Sequence, residues 1–264
     1  MGLERFHSAL MPNGGNSGAA GSEDRRWLSE KRIDPQQRLI VALDTPSPAE
    51  AERLVETLGN AVGFYKLGLE LLASGGCFEL IERLHARGKQ TFLDLKLFDV
   101  PQTVGAAVRN LRGRGIAFVT VHGNDAILRA ACEQKGETGI LAVTALTSFD
   151  RADIADLGLP NVSLADLVCS RARRALQLGC DGVISSGWEV PRLRAELGQG
   201  LTVVVPGIRP IEDAANDQKR TVDVEAAFWR GADYIVVGRP IRQAPDPRQK
   251  AQAIQQRIQR LFGH

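Results

Sequence analysis

From Arg38 onward the chain repeats one unit eight times: a short run rich in β-branched and aromatic residues, then a stretch of helix length. The runs are Leu39–Leu43, Phe64–Leu67, Gln90–Lys96, Phe118–Val121, Ile140–Ala145, Gly182–Ser185, Leu201–Val205 and Tyr234–Val237. Amphipathic segments such as Pro48–Leu58, Cys77–Arg87, Pro101–Arg114 and Val222–Arg230 separate them. A helix between two strands carries the chain back across the sheet, so successive strands are expected to run parallel. Eight such units in roughly 225 residues predict a single-domain (β/α)8 barrel, the TIM-barrel architecture. A doubly wound open sheet is the alternative, but no G-x-G-x-x-G turn follows the first run.

Helix punctuation fits the same division. Asp44-Thr-Pro-Ser47 stands ahead of Pro48, which makes Ser47 the expected N-cap, with proline in the first turn. Gly59, Gly88, Gly115, Gly179 and Gly231 follow helical stretches, where a left-handed cap is expected. The longest connections, Ser148–Ser163 and Gly207–Thr221, each follow a strand and so belong on the face where such barrels build their sites. Residues 1–37 differ. Asn13 to Ser22 is a low-complexity Gly/Ser/Asn stretch and Glu23 to Arg26 is charged, which predicts a disordered extension ahead of a barrel domain over 38–264.

Composition disfavours several partners. The chain has 33 basic and 31 acidic residues, a net charge of +2, and so small a surplus gives no reason to expect nucleic acid. No apolar run approaches the ~18 residues that span a bilayer, and no apolar segment marks a secretory signal. Cys77, Cys132, Cys169 and Cys180 are scattered without a C-x-x-C pair. That spacing argues against zinc and against a disulfide framework, and it fits a reducing cytoplasm.

The chemistry is concentrated at the predicted strand ends. The third run, Phe92-Leu-Asp-Leu-Lys-Leu-Phe-Asp-Val100, carries Asp94, Lys96 and Asp99. Residues two apart in a strand face the same side, so Asp94 and Lys96 are expected to share a face. Buried charges cost several kcal/mol unless paired or used, so a structural ion pair is the bland alternative. The neighbouring ends argue against it: Asp44 ends the first run, Lys66 lies in the second, and His122 ends the fourth. Thr144 to Thr147, Pro206-Gly-Ile-Arg209 and Gly238-Arg239-Pro240 end the fifth, seventh and eighth. Arg239 offers a fork of donors and Gly238 an open backbone, which together with Arg209 and Gln218 suggest a phosphorylated ligand.

The segment Phe92 to Pro101 closely resembles the signature of the orotidine 5′-phosphate decarboxylase family. So do Val41-Ala-Leu-Asp44, Val143-Thr-Ala-Leu-Thr-Ser148, Val205-Pro-Gly-Ile-Arg209, Asp217-Gln-Lys-Arg220 and Ile235-Val-Val-Gly-Arg-Pro240. The loop elements resemble the bacterial branch. The resemblance implies a homodimeric barrel that converts orotidine 5′-phosphate to UMP and CO2, the last step of de novo pyrimidine nucleotide synthesis, with no metal or organic cofactor. Lys96 would donate the proton to C6 of the pyrimidine, and Asp94 would sit against the departing carboxylate. Asp99 and Thr103 would reach into the neighbouring subunit's site. Lys66 would complete an alternating charge array and contact the ribose, which Asp44 would also hold. Thr147 would recognise the pyrimidine, and Arg209, Gln218, Gly238 and Arg239 would hold the phosphate.

The competing activity is a Mg2+-dependent aldolase or decarboxylase of ketose phosphates, using the same acidic strand ends. Thr147 and Asp217 to Arg220 favour the nucleotide. A barrel that only binds nucleotide has no need of both Lys66 and Lys96. His122 is expected to be a hydrogen-bonded structural residue rather than a general base. Trp188 and Trp229 read as helix-to-barrel packing, and Arg171-Ala-Arg-Arg174 as a solvated helix face.

Overall fold

The structure, a computed structural model, describes residues 27–209 and 222–263. Eight parallel strands close into a barrel in sequence order. They are β1 (Leu39–Ala42), β2 (Phe64–Gly68), β3 (Gln90–Leu97), β4 (Ile116–Val121), β5 (Gly139–Val143), β6 (Gly182–Ile184), β7 (Thr202–Val205) and β8 (Tyr234–Val237). β8 pairs with β1 through Ile40 opposite Val236, which closes the ring and rules out the open sheet. No helix among the described residues is long and apolar enough to cross a membrane.

Alternation along each strand sorts two cores. Leu39, Val41, Tyr65, Leu67 and Leu93 face outward and are buried beneath the helices. Ile40, Ala42, Phe64, Phe92, Leu141, Ile184, Val204 and Val236 face inward and fill the barrel. Phe64 stacks on Phe118 at 5.7 Å, and Tyr234 meets both rings edge-on at 5.9 and 5.5 Å. These aromatic rings plug the end at which the strands begin. Continuing each inward series by two residues brings Ile40 and Ala42 to Asp44, Phe64 to Lys66, and Phe92 to Asp94. The strand period itself therefore turns an apolar lumen into a charged mouth.

The expected caps are present. Ser47 Oγ accepts from the Glu50 N–H at the start of the helix Pro48–Leu58, and the Gly59 N–H closes its other end on the Val55 carbonyl. The four other predicted cap glycines also adopt positive φ. Two expectations need correction. The helix predicted over Pro101–Arg114 stops at Arg109: past Asn110 the amides of Leu111, Arg112 and Arg114 bond three residues back, to Val108, Arg109 and Leu111, as successive turns, and Gly113 at φ +72° leads out of them. The connection 148–163 contains a short helix, Arg151–Asp156, started by an Asp150–Asp153 capping box; one and a half turns leave too little periodicity to read.

The assigned extension also needs redrawing, since residues 27–37 pack under the barrel. Ser29 Oγ donates to the fully buried Asp233 carboxylate, and Lys31 Nζ reaches the same group at 2.7 Å and the Leu201 carbonyl at 2.5 Å. Arg38 Nη1 donates to the Asp233 carbonyl at 3.1 Å. Residues 1–26 lie outside the described residues.

Candidate active site

A cleft of about 380 Å³ opens at the C-terminal ends of the strands. Of the residues singled out by sequence, it brings together Asp44, Lys66, Asp94, Lys96, Thr147, Arg209, Gly238 and Arg239. Ala42, Phe92, Val143, Ile184 and Val236 form its apolar floor. Four charges alternate along one wall. Lys66 Nζ lies 2.9 Å from Asp44 Oδ1 and 3.6 Å from Asp94 Oδ2, and Lys96 Nζ lies 2.9 Å from Asp94 Oδ1. Burial pushes the Asp94 carboxyl up, but Lys66 and Lys96, with hydrogen bonds from Lys96 and Thr120, outweigh it and hold the pKa below the ordinary carboxylate value. Asp94 is therefore an anion at neutral pH.

Asp94 and Lys96 do meet, but not by simple alternation. Leu93 pairs with Val119 and Leu97 with Val121, so β3 advances four residues while β4 advances two. The extra length bulges out at residues 94–96. Lys96 sits at φ +48°, the one positive φ among described residues other than glycine. A left-handed conformation costs an L-residue about 1–2 kcal/mol, so neighbouring contacts must maintain it. Thr120, fully buried in β4, supplies two: its Oγ1 accepts from the Lys96 backbone N–H at 2.9 Å and donates to Asp94 Oδ1 at 2.9 Å.

Sequence reasoning missed Thr120, because a β-branched residue inside a strand reads as an ordinary strand former. Gly68 was missed as well. A side chain there would bring its Cβ to 3.2 Å from Lys66 Nζ, crowding the array.

Other expected residues fall elsewhere. Asp99 and Thr103 are exposed and outside this chain's own cleft lining. Asp99 Oδ1 accepts from the Val100 N–H, and the exposed Phe98 and Val100 flank it. Gln218, with the Asp217 to Arg220 element, lies outside the described residues. His122 stands apart from the cleft lining, edge-on to Phe98 at 5.4 Å. Burial, then Arg171 and Lys96, push its pKa down, so the ring is neutral at physiological pH.

Arg171 is half-buried and donates to the Thr144 carbonyl at 2.7 Å. Only Arg173 and Arg174 of that cluster are solvent-facing, each with a carboxylate partner. Trp188 is also corrected: it is exposed rather than packed inside, with the Arg230 guanidinium 4.7 Å from its ring centre.

The profile of the Orotidine 5′-phosphate decarboxylase / HUMPS family matches residues 37–254, a span that contains all eight strands. The chain belongs to this family. Orotidine 5′-phosphate decarboxylase of Methylococcus capsulatus (strain Bath) is 59% identical over 237 residues, 89% of this chain and 98% of that protein. The enzyme of the same name from Stenotrophomonas maltophilia is 47% identical over 84% of this chain and 92% of its own length. Among solved structures, orotidine 5′-phosphate decarboxylase from Lactobacillus acidophilus superposes with a TM-score of 0.75 at 33% identity, covering 84% of this chain and 99% of that one.

Proposed function

We propose that this barrel decarboxylates orotidine 5′-phosphate to UMP and CO2, as the decarboxylase names of its family relatives suggest. The observation that carries the reading is the array Asp44–Lys66–Asp94–Lys96 on the wall of a cleft that also holds Arg209 and Arg239. Loss of CO2 from C6 leaves a carbanion with little resonance relief, so the protein must supply electrostatics. Lys96 stabilises that developing charge as a fixed ammonium and then delivers a proton to C6. Asp94, kept ionised by its two lysines, presents like charge to the substrate carboxylate. Lys66 and Asp44 hold the ribose, and Thr147 the pyrimidine. Arg209, Gly238, Arg239 and Gln218 hold the phosphate, and binding energy gained there, remote from the reacting carbon, is available to lower the barrier at C6.

The catalytic unit in this reading is a homodimer, in which Asp99 and Thr103 complete the partner's site. The exposed Phe98 and Val100 beside Asp99 support it, since an apolar pair of that size suits a covered surface. Mixing inactive Lys96→Ala and Asp99→Ala variants then restores part of the activity through hybrid dimers. Absence of recovery from confirmed hybrids would reject the shared site.

We propose further that the reaction needs neither metal nor organic cofactor. Both acidic side chains of the described cleft already pair with ammonium groups, which a Mg2+ ion would have to displace. The deciding experiment is loss of orotidine 5′-phosphate absorbance with and without EDTA. Turnover unaffected by EDTA supports the reading. Inactivity on the nucleotide, with EDTA-sensitive turnover of a ketose phosphate, replaces it.

A further inference from the structure

We propose that Thr120 is a positioning residue for the proton donor: its hydroxyl ties the backbone of Lys96 to the carboxylate of Asp94 and so sets where the Lys96 ammonium stands. The inference rests on the decarboxylase reading for its consequence, though its geometry does not depend on it.

The bulge in β3 creates the need. Where β3 advances four residues against two on β4, the Lys96 N–H has slipped out of the regular ladder. A backbone donor withdrawn in part from water and without its ladder partner needs another acceptor. Thr120 Oγ1 is that acceptor, and having accepted, it directs its own proton to Asp94 Oδ1. One hydroxyl therefore bonds the main chain of the cation and the side chain of the anion that the cation also contacts.

This closes a small ring of three residues around a backbone conformation that an L-residue rarely adopts. The side chain of Lys96 is 37% exposed at the cleft, against 15% for Asp94 and 12% for Lys66, so surrounding packing constrains it least of the three. Its direction is set from the backbone, where Thr120 acts. Thr120 itself does not line the cleft, so its loss is expected to change the chemical step rather than ligand affinity.

The test compares Thr120→Val, which replaces the hydroxyl by a methyl at nearly constant volume, with Thr120→Ser, which keeps the hydroxyl and drops the methyl. Both are checked for folding by circular dichroism. Thr120→Val is expected to lower kcat by about 10- to 100-fold, the scale of losing preorganisation at one charged group, while KM and UMP affinity stay within about threefold. Thr120→Ser is expected to stay within about threefold of the parent in all of them. Equal losses in both variants, or an unimpaired Thr120→Val, overturn the inference.

Crystal structures of both variants score it independently of turnover. Lys96 should keep its positive φ in Thr120→Ser and leave it in Thr120→Val, opening the contact to Asp94. A Lys96 geometry unchanged in Thr120→Val overturns the proposal even if kcat falls. Should the parent protein fail to turn over orotidine 5′-phosphate, the decarboxylase reading falls, and the crystal structures alone decide the role of Thr120.

Discussion

Two charge clusters lie at opposite ends of the same barrel, and they are built on opposite principles. At the end where the strands begin, Asp233 is fully buried and accepts from Ser29, Lys31, Arg194 and the Val203 N–H. Arg194 in turn donates to the carbonyls of Gly198, Leu201 and Gly231. This saturated network fastens residues 29–31 across the barrel base. At the other end, Asp94 is shared between two lysines, Lys96 is partly open to the cleft, and its backbone is strained. The difference separates holding from acting. A saturated cluster has no capacity left for a ligand, whereas an incompletely enclosed one can respond to charge that arrives with substrate or develops during reaction.

The largest expected effect comes from breaking the upper cluster. Lys96→Ala should lower kcat by at least about a thousandfold, since it removes both the stabilising cation and the proton source. UMP affinity and melting temperature should change little, as read by calorimetry. Retained turnover would remove Lys96 as proton donor.

Breaking the lower cluster should do the reverse. Arg194→Met leaves Asp233 buried without its main partner, which costs about 3–5 kcal/mol in urea unfolding. The kcat of the protein that remains folded should match the parent; a parallel fall would show that the two ends are coupled.

Arg239→Ala sharpens the upper picture by separating affinity from chemistry. Losing a charge-assisted contact of about 1.5–3 kcal/mol should weaken UMP binding by roughly 10- to 100-fold. Unchanged UMP affinity would sink the phosphate assignment.

Acid should reveal the lower cluster as well. Burial raises the Asp233 carboxyl, but Arg194 and Lys31 outweigh it and hold the pKa below the ordinary value. A depressed folded pKa means the stabilisation is complete above the unfolded value of about 4 and is lost as pH falls through the folded value. The stability gap between the parent and Asp233→Asn should therefore narrow as pH drops below about 4, measured as urea midpoints across pH. A constant gap would mean that the Asp233 charge contributes nothing. Smallest of all, Lys31→Ala should cost about 1–2 kcal/mol, because Arg194, Ser29 and Val203 still satisfy the carboxylate. A loss as large as that of Arg194→Met would make Lys31 the principal partner.

The two clusters were unequally legible. Asp44, Lys66, Asp94 and Lys96 announced themselves because charges at the ends of apolar runs stand out, and strand order brings those ends together. Asp233 did not, because it precedes an apolar run rather than closing one. Ser29 and Lys31 were hidden in a stretch whose upstream composition suggested only a flexible extension. Trp188 and Arg171 were misassigned for a related reason: a residue's type states a preference, and its neighbours decide whether that preference is met.

What the sequence determined by itself is local and periodic. Strand–helix alternation specifies the parallel barrel, and the two-residue strand period points Asp44, Lys66 and Asp94 into the mouth. What only the tertiary structure decided depends on partners distant along the chain. Thr120 meets Lys96 and Asp94 from the next strand, 24 and 26 residues away, and Ser29 meets Asp233 across 204. The bulge that turns Lys96 left-handed exists only where β3 and β4 pair out of step. Hydrogen bonds across such distances follow from the register in which strands pair and from how distant segments pack, which the local pattern of each element does not encode.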